Sequence, residues 1–548
     1  MPQSPSLHVA SGIGRASALL ASGTIVSRIL GFVRAIVLAS TIGLVSSASA
    51  NAFAIATQLP NSIYVIVAGG VLSAVLVPQI VRAGLHADGG QGYINKLLTI
   101  ALLVLGLAAL AATLLAPVLT LLYGSGLSPE ARSLATAFAY WSLPQIFFYG
   151  LYTLLGEVLN ARKSFGPFTW APVLNNVIAI AGLILFMVLF GSDPSGDRSP
   201  SSWTSGMIAT LAGSALAGVA AQALILFWFW RRVGLSYRPD FKWRGVGLSV
   251  AGKMAGWTFG MLLLTTIAGI VETNMASQVG SEGAGVAALS NAWLIFMLPH
   301  SVITVSIATA YFTNLSEHAS AGRVVAMRND VSAAIRGISL IIVLASAVLL
   351  VVAYPFAATF NDSSFANVAA FGNVIIAYVI GLVPFSILFV LQRTFYSLGD
   401  TKTPFFFTLF QVILVIAGSL ASGLLLPVEW IAVGIALVIT VAGFLQMLLA
   451  AYLLNRRLDG IDALRILRSV GRYVLAILLP LAAGLALLWW LGGTTDGGFA
   501  ISGKVQAIVS MIIIGSVMSI LYIAILWLLR SPELKTFIEP VLARIRRR

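Results

Sequence analysis

Residues 16–44 read ASALLASGTIVSRILGFVRAIVLASTIGL. The stretch has the length and apolar content of a membrane-crossing helix, yet Arg28 and Arg34 lie inside it. A guanidinium keeps its charge at physiological pH and costs roughly 3 kcal/mol near the centre of a spanning helix. The rest of the chain repeats the apolar pattern: of 548 residues, 59% are hydrophobic and 9% charged, and mean hydropathy is +0.98. A soluble protein of this size needs a more polar surface. No alternating ten-residue pattern suggests a membrane barrel. The chain reads as an all-α polytopic membrane protein. It has no cysteine, so disulfides and thiol ligands are excluded. The polar N-terminus, 1–15, precedes an apolar run too long for a signal-peptide core, so the first helix is expected to be retained.

Hydropathy predicts fourteen transmembrane helices, over 16–42, 48–81, 95–122, 131–159, 168–191, 205–230, 250–279, 284–314, 329–358, 367–392, 404–426, 428–454, 470–492 and 504–529. If alternate connections share a side with the N-terminus, 27 of the 32 Lys and Arg residues fall on that side. Three (Arg132, Arg198, Lys504) fall opposite, and Arg28 and Arg34 remain in the first helix. This asymmetry places both termini in the cytoplasm. It also accounts for the net charge of +14, which orients the chain and faces anionic lipids rather than nucleic acid.

An internal repeat runs at an offset of about 237 to 240 residues. LNARKSFGPFTWAPVLNNVIAIAG (159–182) corresponds to YSLGDTKTPFFFTLFQVILVIAG (396–418), and ANAFAIATQLPNSI (50–63) to LSNAWLIFMLPHSV (289–302). Each unit spans six helices, an even number, so the repeat is parallel, a pseudo-two-fold about the membrane normal. The predicted organisation is a cytoplasmic N-terminus (1–15), an N-lobe (16–230), a basic linker (231–249), a C-lobe (250–454), a basic loop (455–469), two further helices (470–530) and a basic tail (531–548).

Arg28 and Arg34 are about 120° apart around an ideal helix and roughly 9 Å apart along it. A weak point at Gly31 would let both reach one cavity. No carboxylate lies between Met1 and His86, and Asn51 and Gln58 on the second helix are neutral. Two uncompensated cations point to an anionic group such as phosphate; the alternative is that they hydrogen-bond broken-helix carbonyls. Glu272 and Asn274, in IVETNMASQ, occupy the place in the second lobe that mirrors the Arg34 region. Glu272 could pair with an arginine of the first lobe or carry a proton, or simply be satisfied by neighbouring polar groups. Glu157, beside Asn160, Arg162 and Lys163, reads as a gate or surface salt bridge. Leu-Pro pairs at 59–60, 143–144, 298–299 and 479–480 fit kinked, closely packed helices. The four histidines lack metal-ligand spacing, and no P-loop is present. No enzyme is indicated.

SRILGFVR (27–34), ANAFAIATQLPN (50–61), VLNARKSFGPFTWAPVLNN (158–176) and LQRTFYSLGDTKTP (391–404) together resemble the MurJ (MviN) family of lipid II flippases, within the MOP exporter superfamily, most closely its actinobacterial members. The resemblance spans about residues 15 to 530. It implies a central cationic cavity between the lobes, and two C-terminal helices (470–530) forming a lipid-tail groove. It further implies transport of undecaprenyl-pyrophosphate-linked peptidoglycan precursor from the inner to the outer leaflet by alternating access. The substrate-binding candidates are Arg28 and Arg34 with Ser27, Asn51 (where the family usually has Asp) and Gln58. The gating or coupling candidates are Gly31, Glu157, Asn160, Glu272 and Asn274. Tyr64 or Val65, and Leu294, stand where Gram-negative members carry further arginines. Many actinobacterial members continue into a pseudokinase-like domain; this sequence ends at RIRRR (544–548), as a short version or a truncation would. Transport would draw on the membrane potential or an ion gradient, with no cofactor or metal. The expected partners are the undecaprenyl-linked lipid, anionic membrane lipids and cell-wall or division proteins. A monomer in the bacterial cytoplasmic membrane is expected. Alternative readings are a flippase for another polyprenyl-linked oligosaccharide, a MATE-type exporter and a non-transporting cell-wall scaffold.

Overall fold

Hydrocarbon offers the backbone no hydrogen-bond partner, so an open chain crosses it as helix. The computed structural model describes residues 6–67, 91–162, 164–241, 252–360 and 364–535, and among them only helices and their connections occur. The chain divides into two compact units, residues 1–43 with 47–266 and residues 44–46 with 267–548. The N-terminal unit holds α1 (Ser6–Ile42), α2 (Ala48–Val67), α3 (Gln91–Leu114), α4 (Ala116–Tyr123), α5 (Pro129–Ser142), α6 (Gln145–Ala161), α7 (Phe165–Phe190) and α8 (Ser205–Arg232). The division falls inside α9 (Gly252–Ser277). The C-terminal unit continues with α10 (Val286–Pro299), α11 (Val305–Ser320), α12 (Val324–Val351), α13 (Ala353–Ala358), α14 (Phe365–Val379), α15 (Leu382–Ser397), α16 (Lys402–Leu425), α17 (Ile431–Arg457), α18 (Ala463–Trp490) and α19 (Lys504–Leu528).

Twelve helical stretches among the described residues are long and apolar enough to cross a membrane. The other two of the fourteen expected differ for separate reasons. The second expected helix is described only as far as Val67. The fourth, expected as one helix over 131–159, is two: α5 ends at Ser142 and α6 begins at Gln145. Pro144 lacks an amide and its ring opposes the carbonyl one turn back. The Ile146 amide therefore donates to the Leu143 carbonyl at 3.1 Å, three residues away instead of four. The other Leu-Pro pairs behave differently. Pro60 and Pro480 are carried inside α2 and α18, while Pro299 ends α10 and opens a π-helical turn over His300–Thr304.

Small residues set the closest contacts, as expected where lipid supplies no hydrophobic drive between helices. In the N-terminal unit a Cβ on Gly182 of α7 would sit 2.1 Å from the Ser214 Cβ of α8. In the C-terminal unit, Gly418 of α16, the other repeat's Ala-Gly glycine, would likewise meet Val438 of α17 at 2.5 Å. Gln222 of α8 accepts from Asn175 of α7 at 2.9 Å, and Gln446 of α17 donates to Thr408 of α16 at 3.3 Å. Both units thus build the corresponding helix pair with a glycine contact and a glutamine crosslink, which is the repeat expressed in packing.

α5 is pinned by Phe138, fully buried edge-on to Phe53 (5.2 Å) and Trp203 (5.1 Å). Helices α18 and α19 share a core with α12 through Leu340, Val343, Tyr473, Ile514, Met518 and Tyr522. The Tyr522 hydroxyl donates to the Leu340 carbonyl at 2.9 Å. Arg336, which charge counting assigns to the cytoplasmic side, is a buried member of α12 whose guanidinium donates to Glu533 just past α19. The Ser531 hydroxyl donates to the same carboxylate at 3.2 Å. Burial opposes the charged form of Glu533, but its own amide and the Arg336 guanidinium outweigh it and hold the carboxyl below its ordinary range.

Two outcomes follow from this packing. Gly182→Val should destabilise the purified protein by about 1–3 kcal/mol through overpacking, read as a lower melting temperature. Glu533→Gln leaves Arg336 buried without its partner and should cost on the order of 3 kcal/mol at pH 7. A depressed carboxyl stabilises above its unfolded value and loses that contribution as pH falls through its folded value. The gap between wild type and Glu533→Gln should therefore close as pH drops below about 4; a gap that persisted in acid would mean the pair does not contribute.

Candidate functional site

α1 is one unbroken helix through Gly31, so the expected weakness there is absent. It lies against α7 along its small residues. A Cβ on Gly23 would come within 2.9 Å of Thr169 and Trp170, the Ser27 carbonyl accepts from Asn176 Nδ2 at 3.0 Å, and a Cβ on Gly31 would be 3.8 Å from the same nitrogen. Helical geometry puts Arg34 within about 20° of Ser27, on this inward face, and Arg28 about 100° round on its flank. Ile25, Ile29 and Val33 are exposed on the opposite side. Both arginines are half-buried, and neither is in an ion pair among the described residues.

Arg34 interacts electrostatically with Tyr149 of α6. That tyrosine belongs to a stripe the sequence reading missed: Gln145, Tyr149, Thr153 and Glu157 recur every four residues, with Asn160 falling within the same arc. The Tyr149 hydroxyl donates to Gln145 Oε1 at 3.0 Å. Tyr64 of α2 joins the stripe, its hydroxyl 2.6 Å from Thr153 Oγ1 and its ring 5.7 Å from that of Tyr149. Tyr64 also interacts electrostatically with Glu157. Beside it, the Tyr152 hydroxyl donates to the Phe168 carbonyl at 2.8 Å and its ring stacks on Phe168 at 4.8 Å. The Gln222–Asn175 crosslink closes the seam, with Asn175 Oδ1 buried and without a hydrogen-bond partner. Hydropathy hides this stripe because tyrosine and threonine barely lower a window average; the four-residue recurrence of polar side chains was the signal available.

The remaining candidates fall elsewhere. Asn51 is fully enclosed on the first turn of α2, two residues from Ser49, whose hydroxyl bonds the Arg198 carbonyl and Trp203. Gln58 is half-buried, about 120° round α2 from Tyr64. Glu157 is in no ion pair among the described residues; Lys163, one of its expected neighbours, lies outside them. In the C-terminal unit, Glu272 is likewise in no ion pair and interacts electrostatically with Tyr378. Tyr378 belongs to an aromatic group with Trp293 and Phe296. The carbonyl of Asn274 accepts from Ser277 at 2.7 Å.

Two guanidiniums in no ion pair among the described residues, one of them facing Tyr149 of the polar stripe, can receive an anion bearing neutral hydroxyls and amides.

The described helices share their fold with solved membrane transporters, one of them described as a member of the MOP superfamily. A multidrug-resistance MATE transporter solved in its inward-facing conformation aligns with a TM-score of 0.62 at 16% identity, over 80% of this chain and 96% of that one. A solved lipid II flippase MurJ in its inward closed conformation aligns with a TM-score of 0.70 at 19% identity, over 96% of this chain and 100% of that one. The sequence profile described as "Lipid II flippase MurJ" matches residues 38–529, and the chain belongs to that family. A probable lipid II flippase MurJ of Haemophilus influenzae is 26% identical over 487 residues, 85% of this chain and 90% of that protein. One from Rhizobium meliloti is 26% identical over 514 residues, 90% of each chain. The profile match begins after Arg28 and Arg34, so the reading of those two residues rests on geometry and charge.

A ligand-directed charge costs stability when the ligand is absent, whereas a structural one contributes. Arg34→Leu should therefore raise the melting temperature of the ligand-free protein, by the equivalent of about 1–3 kcal/mol. A lower melting temperature would show that Arg34 props the helix.

Proposed function

We propose that this protein carries lipid II, the undecaprenyl-pyrophosphate-linked peptidoglycan precursor, from the inner to the outer leaflet of the bacterial cytoplasmic membrane by alternating access. The observation that carries the reading is the pair of arginines on α1, in no ion pair among the described residues, with Arg34 facing Tyr149 of a mostly neutral polar stripe. The pyrophosphate would engage Arg34 and Arg28, near Ser27 and Gln58. Tyr64, Tyr149, Thr153 and Asn160 would meet the glycan and peptide, while Asn51 would hold the outer end of α2. Gly31 faces Asn176 of α7 with room for a Cβ at 3.8 Å, and such a loosely packed point suits a helix that shifts against α7. The charge asymmetry of the chain supports an orientation with both termini in the cytoplasm.

The chain carries no ATPase motif, so directional flux would draw on the membrane potential or an ion gradient. Glu157 and Glu272, each outside any described ion pair, are the proposed coupling groups, with Asn274 beside the second. A cation exporter of the MATE type would instead call for carboxylates in place of the arginines.

The test is complementation of cells depleted of their own lipid II flippase, with expression verified by blotting. Wild type should rescue growth, while Arg28→Ala and Arg34→Ala should lower flipping at least about tenfold each, as loss of a charge-assisted contact predicts. Rescue by all three would remove the arginines from substrate handling. Failure of well-expressed wild type would favour another lipid-linked cargo or a scaffold.

A further inference from the structure

In the C-terminal unit a recess of about 530 Å³ opens at the first turns of α18. Arg465, Arg468 and Arg472 line it together with Arg336, Asp462 and Glu533. The three α18 arginines fall within about 60° of one another around the helix, so they converge on one face. None of them is in an ion pair among the described residues. The carboxylate best placed to neutralise them, Glu533, is committed to Arg336. Asp462, the other acid of the recess, is in no ion pair either. Converging like charges repel unless an anion joins them, and guanidinium forks match phosphate oxygens bidentately.

The surroundings indicate which anion. α18 is among the helices long and apolar enough to cross a membrane, and its span begins at Ala463, level with the recess. Leu464 and Leu467, which flank Arg465 in sequence, are 61% and 68% exposed. Basic side chains beside exposed leucines at the mouth of a span are the arrangement that meets a phosphate group with acyl chains attached. We propose that this recess binds the phosphate headgroup of an anionic membrane phospholipid, held by Arg465, Arg468 and Arg472. The site is separate from the α1 arginines and does not depend on which cargo the protein carries.

The full-length protein, purified in neutral detergent, would be titrated with dihexanoyl phosphatidylglycerol, with dihexanoyl phosphatidylcholine and with inorganic phosphate, and bound ligand counted by native mass spectrometry. Phosphatidylglycerol should bind in preference to phosphatidylcholine. Changing Arg465→Gln, Arg468→Gln and Arg472→Gln together should weaken it at least about tenfold, while Arg457→Gln on α17, outside the recess, leaves it unchanged. The corresponding triple substitution to Lys keeps the charge and gives up the forked contacts, so it should bind several-fold more weakly than wild type and tighter than the Gln variant. Phosphatidylglycerol binding that the Gln substitutions leave intact would overturn the site. Arginine-dependent binding of inorganic phosphate without phosphatidylglycerol would overturn the lipid assignment in favour of a soluble phosphate.

Discussion

A backbone in hydrocarbon must satisfy its own hydrogen bonds, and nearly every feature of this molecule answers to that requirement. Helices form because nothing else is possible there, so the information in the sequence lies in where they break and where they touch. They touch at glycine, where Gly182 and Gly418 allow neighbouring helices to approach closer than any Cβ would permit. They break at proline, but only when the local chain has an alternative bonding pattern, such as the tightened turn at Leu143–Pro144 or the widened one after Pro299.

Against that apolar background the chain treats its buried arginines in two opposite ways. Arg336 is matched with Glu533 and ties the segment after α19 to α12. Arg28 and Arg34 are in no ion pair among the described residues. The first arrangement closes a structural joint. The second keeps two positive charges on a helix whose packing contacts are otherwise made by glycine and serine. Within one protein, a facing carboxylate marks the arginine that joins two segments of the fold.

Much of this was legible in the sequence. Apolar run lengths identified the class, and the Ala-Gly endings at 181–182 and 417–418 identified the repeat that both units then express in the same kind of contact. SRILGFVR announced its own cost. Other features were hidden for identifiable reasons. A hydropathy window passes smoothly over a single proline, so the fourth predicted helix concealed the division into α5 and α6. The stripe from Gln145 to Glu157 is made of side chains that are neutral or half aromatic, and its meaning depends on Tyr64 arriving from another helix. The burial of Arg336 was hidden because its partner is nearly 200 residues away, and no local pattern connects the two.

The break at Pro144 has a mechanical consequence. α5 is held by Phe138 between Phe53 and Trp203, whereas α6, which carries the polar stripe, is held on the other side of the joint by Leu151, Leu154, Leu155 and Leu159 in a core with α3 and α8. A 17-residue helix is a stiff arm of about 25 Å. Pivoting it by roughly 10° about its proline end would swing Glu157 and Asn160 through about 4 Å, while the clamped end stayed still. A continuous helix would have to drag both ends together. The proline separates the packing of α5 from that of α6, so any such swing is set by the core that α6 shares with α3 and α8.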